Sequence, residues 1–159
     1  MSNDDLTILR KQLVSALGGG ESHIIFEAAV KDFPPEHRGA KPAGAPHSAW
    51  ELIEHMRIAQ RDIIDFVRDP RHKSPHFPEG YWPKTSTPAD EAAWAKTVQG
   101  FESDRKELAQ LIEKDDLFTA LPHGDGQTLL REALLVANHN SYELGQVVFL
   151  KRMLNGKKS

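Results

Sequence analysis

A histidine and a glutamate four positions apart, His139 and Glu143, have the clearest chemical potential in this chain. Side chains at this spacing lie one above the other on an α-helix, with Cβ atoms roughly 6 Å apart, so they can hold one metal ion. They belong to a stripe that should face the interior, made of Leu135, His139, Tyr142, Glu143 and Gln146. A carboxylate buried there needs a cation, an arginine or a strong hydrogen-bond donor.

His55 is the third residue with suitable chemistry. It lies between Leu52 and Ala59 on the apolar face predicted for another long helix, and facing helices of a bundle bring such side chains together. Two imidazoles and a carboxylate bind Zn, Fe, Mn or Ni. The same spacing also fits a hydrogen-bonded core histidine at position 55 and a weak ion pair between positions 139 and 143. Spacing alone does not decide between these alternatives.

The other histidines are predicted to lie outside this site. His72 and His76 share the four-residue spacing, but Pro75 between them argues against a helix. His123 lies in a glycine-containing turn, where a structural role is expected. We expect three more to face solvent in or beside loops: His23, His37 and His47.

The composition excludes several classes of function. The chain has 159 residues, 39% hydrophobic and 27% charged, which predicts a single domain over residues 1–159. It has 8 histidines but no cysteine, which excludes disulfides, thiolate ligands and a cysteine nucleophile. The net charge of -3 argues against binding nucleic acid through its phosphates. A small molecule or a protein is the expected partner.

The sequence also predicts a cytoplasmic protein. No apolar run approaches the roughly 20 residues that cross a bilayer, so we expect no membrane-spanning segment. The N-terminus is acidic, with Asp4 and Asp5 where a secretory signal would be basic, and it lacks the apolar core of such a signal.

Apolar residues at three- and four-residue spacing, separated by loops rich in proline and glycine, predict four long helices and one short one. The last long helix is apolar nearly all round, which is typical of a buried helix. Strand-like alternation is missing from the pattern. The predicted fold is therefore all-α, an up-and-down four-helix bundle. The helices are expected at about residues 3–17, 22–32, 48–68, 87–114 and 128–154.

Capping signals predict where these helices begin. Ser48 and Glu51 match the capping box, in which each side chain accepts from the backbone of the other. Thr87 followed by Pro88 fits an N-cap and a first helical position. Thr128 fits the N-cap of the last helix.

The connection over residues 69–87 is long and rich in aromatic residues and proline. A loop of this length is either a lid over a site or a strap across the bundle. Trp82 and its neighbour Tyr81 would cover the cavity mouth in the first case and fill a groove in the second.

Several stretches resemble the DinB/YfiT-like superfamily. Residues 139–146, His-Asn-Ser-Tyr-Glu-Leu-Gly-Gln, resemble its last-helix signature, in which two histidines four residues apart and a Gly-Gln pair form the metal-binding helix. Residues 48–60 resemble its second helix, which supplies the third ligand, here His55. Further similarity lies in residues 79–83 and 123–132, so the resemblance covers nearly the whole chain in the same order.

The resemblance implies a four-helix bundle, frequently a homodimer, that holds a divalent metal such as Zn or Ni through three side chains. In this chain the set would be His55, His139 and Glu143. The family usually has a second histidine at the last position. Glu143 either serves as the third ligand or weakens or abolishes metal binding; we favour retention because a buried glutamate without a cation is costly.

Three further residues are expected beside this set. Gln146 is predicted to hydrogen-bond a ligand imidazole. Tyr142 either contributes a hydroxyl to the cavity or is an ordinary buried tyrosine. Trp82 is expected to line the pocket.

The resemblance implies a metal-dependent enzyme acting on a small molecule, since family members include thiol-dependent transferases and proteins described as hydrolases. A metal with an open position lowers the pKa of a bound water or thiol. Because this chain has no cysteine, a thiol nucleophile would have to be a low-molecular-weight cofactor. The alternative is a non-enzymatic stress-response or binding protein whose metal site is structural or vestigial.

Overall fold

The computed structural model describes residues 2–156, which contain five α-helices. Within this range the β-type pairing consists of one isolated bridge between Ala120 and Thr128, so the predicted all-α helical bundle is confirmed. Two short 3-10 turns lie at Pro35–His37 and Glu79–Tyr81. The helices are α1 (Asn3–Gly18), α2 (Phe26–Val30), α3 (Ala49–Arg68), α4 (Glu91–Lys114) and α5 (Leu129–Asn155).

Local capping explains where the long helices begin. The Ser48 hydroxyl accepts from the Glu51 N–H at 3.2 Å, and the Glu51 carboxylate accepts from the Ser48 N–H at 2.7 Å, which forms the predicted capping box of α3. The predicted start of α4 is wrong. Asp90 caps that helix, and its carboxylate accepts from the Ala93 N–H at 2.7 Å. Aspartate is the stronger N-cap, so the helix begins after Asp90 and not at Thr87.

The short helix α2 is also briefer than predicted. It ends at Val30, because Lys31 has a ψ of 133°, outside the helical region, and Asp32 follows with a φ of 53°.

The packing of the long helices determines which residues can meet. α3 packs against both α4 and α5, and α1 packs against the same two helices, so α1 and α3 occupy opposite corners of the bundle. A buried polar layer then links three of the helices at mid-height. Gln60 of α3 donates to the Phe101 carbonyl of α4 at 2.8 Å, and Asn140 of α5 donates to Gln60 at 3.0 Å. This layer aligns α5 with α3 next to His139.

The outer face of α5 is not buried, contrary to the prediction from its composition. Leu134, Tyr142 and Phe149 have exposed fractions of 52%, 70% and 63%. The inner face, which includes Val136, Asn140 and Val147, is buried. A helix at the corner of a four-helix bundle has one face that no other helix covers, and here that face is apolar.

The helices of residues 2–156 include none with the length and apolarity needed to cross a membrane. The predictions of a single domain over residues 1–159 and of a cytoplasmic location stay predictions.

Candidate metal centre

The three predicted ligands converge between α3 and α5. The Nε2 atoms of His55 and His139 are 3.0 Å apart, and Glu143 Oε1 lies 4.0 Å from His139 Nε2. Each residue offers one ligand atom, and all three atoms lie within 4.8 Å of one another. His55 and Glu143 are buried, and His139 is partly buried. We call these three residues the His–His–Glu cluster.

The electrostatics of the cluster suit a cation. Burial lowers the pKa of His55 and of His139, and the neighbouring His55 lowers that of His139 further. Both imidazoles are therefore neutral at neutral pH and keep a lone pair for a ligand. Burial raises the pKa of the Glu143 carboxyl. Among residues 2–156, no lysine or arginine forms an ion pair with Glu143.

Gln146 contacts the carboxylate and not an imidazole. Its Nε2 donates to Glu143 Oε2 at 2.7 Å, which corrects the expected imidazole contact. This bond occupies one carboxylate oxygen and leaves Oε1 facing the histidines. An outer hydrogen bond of this kind orients a metal-binding carboxylate.

Trp82 forms the wall beside His55. Its ring stacks on the His55 imidazole with centroids 4.1 Å apart and an interplanar angle of 5°. His47 stacks on the opposite face of Trp82 at 3.9 Å and 14°, so His47 is partly buried and does not simply face solvent as predicted. The stack restricts rotation of the His55 ring.

Residues 69–87, which we call the strap, are hydrogen-bonded to α3. The Tyr81 carbonyl accepts from His55 Nδ1 at 2.8 Å, and the Tyr81 hydroxyl donates to Asp62 Oδ2 at 2.6 Å. His72 Nε2 lies 2.6 Å from Asp62 Oδ1. Burial, followed by the hydrogen bond to Asp62, raises the pKa of Tyr81 to about 12, so its hydroxyl stays protonated and keeps donating. These contacts favour the strap over the lid.

A cavity of about 670 Å³ opens beside the cluster. Half of its lining side chains are apolar or aromatic and half are polar or charged, so it can hold a small molecule that has both apolar and polar groups. Tyr142 lines it, but at 70% exposure it lies at the mouth and is not the buried tyrosine that the sequence suggested. The lining residues are His55, Ala59, Asp62, Ile63, Phe66, Ser74, Phe77, Tyr81, Trp82, Gln127, Arg131, Glu132, Leu135, His139, Tyr142 and Glu143.

Comparison with family models places the chain in a known group. The model of the DinB superfamily matches residues 24–147, which include all three cluster residues. The chain belongs to the DinB superfamily. The resemblance stated from the sequence is therefore confirmed, and so is the helical bundle that it implied. Searches of curated proteins and of solved structures gave no match.

Two acidic residues of this DinB-superfamily site were missed by the sequence analysis. Asp62 follows His55 by seven residues and Glu132 precedes His139 by seven, so each shares the inner face of its helix with a cluster histidine. That spacing could have found both. Glu132 is almost fully buried and accepts from Arg131 Nη1 at 2.6 Å.

A second cavity contains a serine and a histidine in contact, and their surroundings indicate a structural role for the pair instead of a catalytic one. His23 Nε2 lies 3.0 Å from Ser141 Oγ, which brings His23 partly out of solvent. The Ser141 hydroxyl also donates to the Ala137 carbonyl at 2.8 Å. The N–H groups of Gly19 and Gly20, which could have stabilised an oxyanion, already donate to backbone carbonyls. The pair ties α5 to the loop after α1.

The last predictions about histidines concern the turns. His123 Nε2 lies 2.7 Å from the Phe66 carbonyl, which agrees with a structural role in its turn. His76 is exposed and contacts Glu79 of the strap at 3.0 Å. Neither residue belongs to the His–His–Glu cluster.

Proposed function

We propose that this DinB-superfamily protein binds a divalent metal through His55, His139 and Glu143 and is an enzyme that acts on a small molecule in the adjoining cavity. The observation that carries the proposal is a buried carboxylate that meets two neutral imidazoles with no arginine or lysine paired to it in the described chain. Zn or Ni is the proposed metal, and the same donors also accept Fe or Mn.

A bound divalent metal supplies Lewis acidity that makes an oxygen or sulfur nucleophile available near neutral pH. Three protein donors are typical of a catalytic centre, because structural zinc centres usually have four. The open, partly apolar cavity beside the cluster also supports a catalytic role, because it gives a small molecule room next to the metal.

The chain's own residues prepare the site for this chemistry. Gln146 orients the Glu143 carboxylate, and the Tyr81 carbonyl holds the proton of His55 on Nδ1. Trp82 and Phe66 line the cavity, where they exclude water and contact the apolar part of a substrate. Arg131 lies on the polar side of the cavity and can donate hydrogen bonds to the substrate.

The reaction we propose is either hydrolysis or transfer to a thiol. The chain has no cysteine, so the thiol would be a low-molecular-weight molecule. Metal-loaded protein without a histidine tag should be incubated with such thiols and an electrophile, and in parallel with generic esters and amides. We expect turnover in one panel and its loss in His139→Ala. Inactivity in both panels after confirmed metal loading would favour the non-enzymatic stress-response or binding protein.

The role of Glu143 can be tested separately from activity. Glu143→Ala should lower the metal content of the purified protein, because it removes one of three donors. Glu113→Ala is a suitable control, since Glu113 is exposed on α4 and lies outside the cluster. Undiminished metal content in Glu143→Ala would remove Glu143 from the proposed centre.

We also propose that the partner on the outer face of α5 is a second copy of this chain. Leu134, Tyr142 and Phe149 expose a large apolar area on that face, and monomers rarely leave such patches uncovered. Light scattering should give a dimer mass for the parent and a monomer mass for Phe149→Glu. Ile8→Glu on α1, where Ile8 is 54% exposed, is the control. A monomeric parent would contradict the proposal.

A further inference from the structure

We infer that Asp62 is a positioning residue for the His–His–Glu cluster: it holds the strap so that the Tyr81 carbonyl orients His55. Asp62 is on α3, and its two oxygens contact two different residues of the strap. The inference rests on the proposed metal binding for its affinity measurement, but the orientation of His55 can be measured without a metal.

The two contacts of Asp62 are short and shielded from water. Oδ1 lies 2.6 Å from His72 Nε2, and Oδ2 accepts from the Tyr81 hydroxyl at 2.6 Å. The Asp62 side chain is only 10% exposed. Hydrogen bonds to a carboxylate are among the strong ones in proteins, so Asp62 fixes both ends of the segment between His72 and Tyr81.

Tyr81 connects Asp62 to His55. Its hydroxyl contacts Asp62 while its carbonyl accepts from His55 Nδ1 at 2.8 Å. A neutral imidazole that donates from Nδ1 keeps the lone pair of Nε2 free, and Nε2 is the atom that lies 3.0 Å from His139. Trp82, the next residue of the strap, stacks on the same ring. The strap thus sets both the tautomer and the plane of His55.

Apart from the stack of Trp82 on His55, few contacts hold this part of the strap to α3. Between residues 70 and 83, within the chain as described, the side-chain hydrogen bonds to α3 are those made by Asp62 and His55. The segment contains one short 3-10 turn, at Glu79–Tyr81. Phe77, which precedes this turn, has an exposed fraction of 75%. Loss of the Asp62 contacts should therefore let the Tyr81 carbonyl move away from His55.

Three variants separate the steps of this argument. Asp62→Ala removes both contacts to the strap. Tyr81→Phe removes only the hydroxyl and keeps the carbonyl that His55 contacts, so any effect on His55 must come from movement of the strap. Asp65→Ala is the matched control, because Asp65 lies on the same helix and carries the same charge but pairs with Arg61 at 2.7 Å.

The first measurement is the tautomer of His55 in the metal-free protein, from the ¹⁵N chemical shifts of its ring. The parent and Asp65→Ala should show the form protonated on Nδ1. Asp62→Ala and Tyr81→Phe should show a mixture with the form protonated on Nε2. A residue that only stabilises the fold would leave this signature unchanged.

The second measurement is affinity for Co²⁺, followed by visible absorption. Outer contacts of metal-binding histidines change affinity by roughly 10–100-fold, and we expect a loss in this range for Asp62→Ala. Asp65→Ala should stay within about twofold of the parent, because the side-chain hydrogen bonds of Asp65 are made with Arg61 and not with the strap. Trypsin should also cut the strap faster in Asp62→Ala, at the exposed Lys73 and Lys84.

An unchanged His55 tautomer in folded Asp62→Ala would overturn the inference. If Asp62→Ala does not fold, an unchanged His55 tautomer in Tyr81→Phe would overturn the inference, since Tyr81→Phe keeps the aromatic ring at position 81. A parent that binds no Co²⁺ would contradict the proposed function instead, and the tautomer measurement would still decide the role of Asp62.

Discussion

The three acids beside Arg61 and the single acid of the His–His–Glu cluster differ in what neutralises them. Arg61 lies within 2.9 Å of Asp104, 2.8 Å of Glu107 and 2.7 Å of Asp65, so one guanidinium serves three acids. We call these four residues the Arg61 cluster. Glu143, in the His–His–Glu cluster, has an amide donor and two neutral imidazoles but no such guanidinium.

The carboxyl pKa values of Glu107 and Glu143 shift in opposite directions, whereas burial raises the pKa of Asp104 even beside Arg61. Hydrogen bonds from Arg61, with a contribution from Arg68, lower the pKa of Glu107. Burial raises the pKa of Glu143, and no charged side chain among residues 2–156 offsets this shift. The fold thus places arginine beside acids that serve structure. Among Asp65, Asp104, Glu107 and Glu143, the acid without an arginine is Glu143, which meets two histidines, and we therefore propose that its cation comes from solution.

The largest expected effect is the loss of metal affinity in His139→Ala. Removal of one of three donors should weaken binding of Co²⁺ or Zn²⁺ by more than about 100-fold, beyond the range for outer contacts. Titration of metal-stripped protein measures it. His76→Ala is the control, because the His76 side chain is 90% exposed. Equal metal affinity in His139→Ala and His76→Ala would mean that His139 is not a ligand. The contrast between a carboxylate neutralised by a metal and carboxylates neutralised by Arg61 would then be lost.

The next effect concerns the Arg61 cluster. Arg61→Met should lower the free energy of unfolding by about 2 kcal/mol, because it leaves the buried Asp104 without its cation. Urea unfolding measures it. Arg71→Met should cost less than about 0.5 kcal/mol, since the Arg71 side chain is 91% exposed. If Arg61→Met lowered the free energy of unfolding by as little as Arg71→Met, the Arg61 cluster would behave as an ordinary surface ion pair.

The smallest effects should have opposite signs at Glu107 and at Glu143. The folded-state pKa of Glu107 is lowered, so its stabilisation is present above the unfolded pKa of roughly 4.3 and is lost as the pH falls through the folded value. Glu107→Gln should therefore lower the free energy of unfolding at neutral pH by about 1 kcal/mol. The difference from the parent should disappear in acid.

In metal-stripped protein, Glu143→Gln should change the free energy of unfolding in the opposite direction to Glu107→Gln. The folded-state pKa of Glu143 is raised, so ionisation destabilises the fold as the pH rises from the unfolded pKa through the folded one. The substitution should raise the free energy of unfolding at neutral pH and leave it unchanged in acid. Urea unfolding with a chelator measures both variants. A loss of stability in Glu143→Gln would show that the chain itself compensates this carboxylate.

Helical periodicity predicted the main elements, and together with the family resemblance it predicted the cluster. The three- and four-residue spacing placed His55, His139 and Glu143 on inner faces, and the capping box placed the start of α3 at Ser48. Two of the predictions that failed concern the long helices and have identifiable reasons. Several candidate caps precede α4, and the stronger one, Asp90, begins the helix. The apolar residues of α5 do not reveal which face of the helix lacks a neighbour.

The support around His55 could not be predicted in the same way. Its Nδ1 contacts a backbone carbonyl, which every residue has, so the residue type of Tyr81 gives no signal. The stack of His47, Trp82 and His55 joins two loops whose paths have no periodicity. Only Asp62, seven residues after His55, had a pattern that could have been recognised.

The central claim is that a metal ion bound by the three donors is the cation that neutralises Glu143. The most direct measurement is the metal content of the protein produced without a histidine tag, stripped, reloaded with Zn²⁺ or Ni²⁺ and desalted. The account predicts about one divalent ion per chain, held by the three donors. A protein that retains no ion after reloading would contradict it.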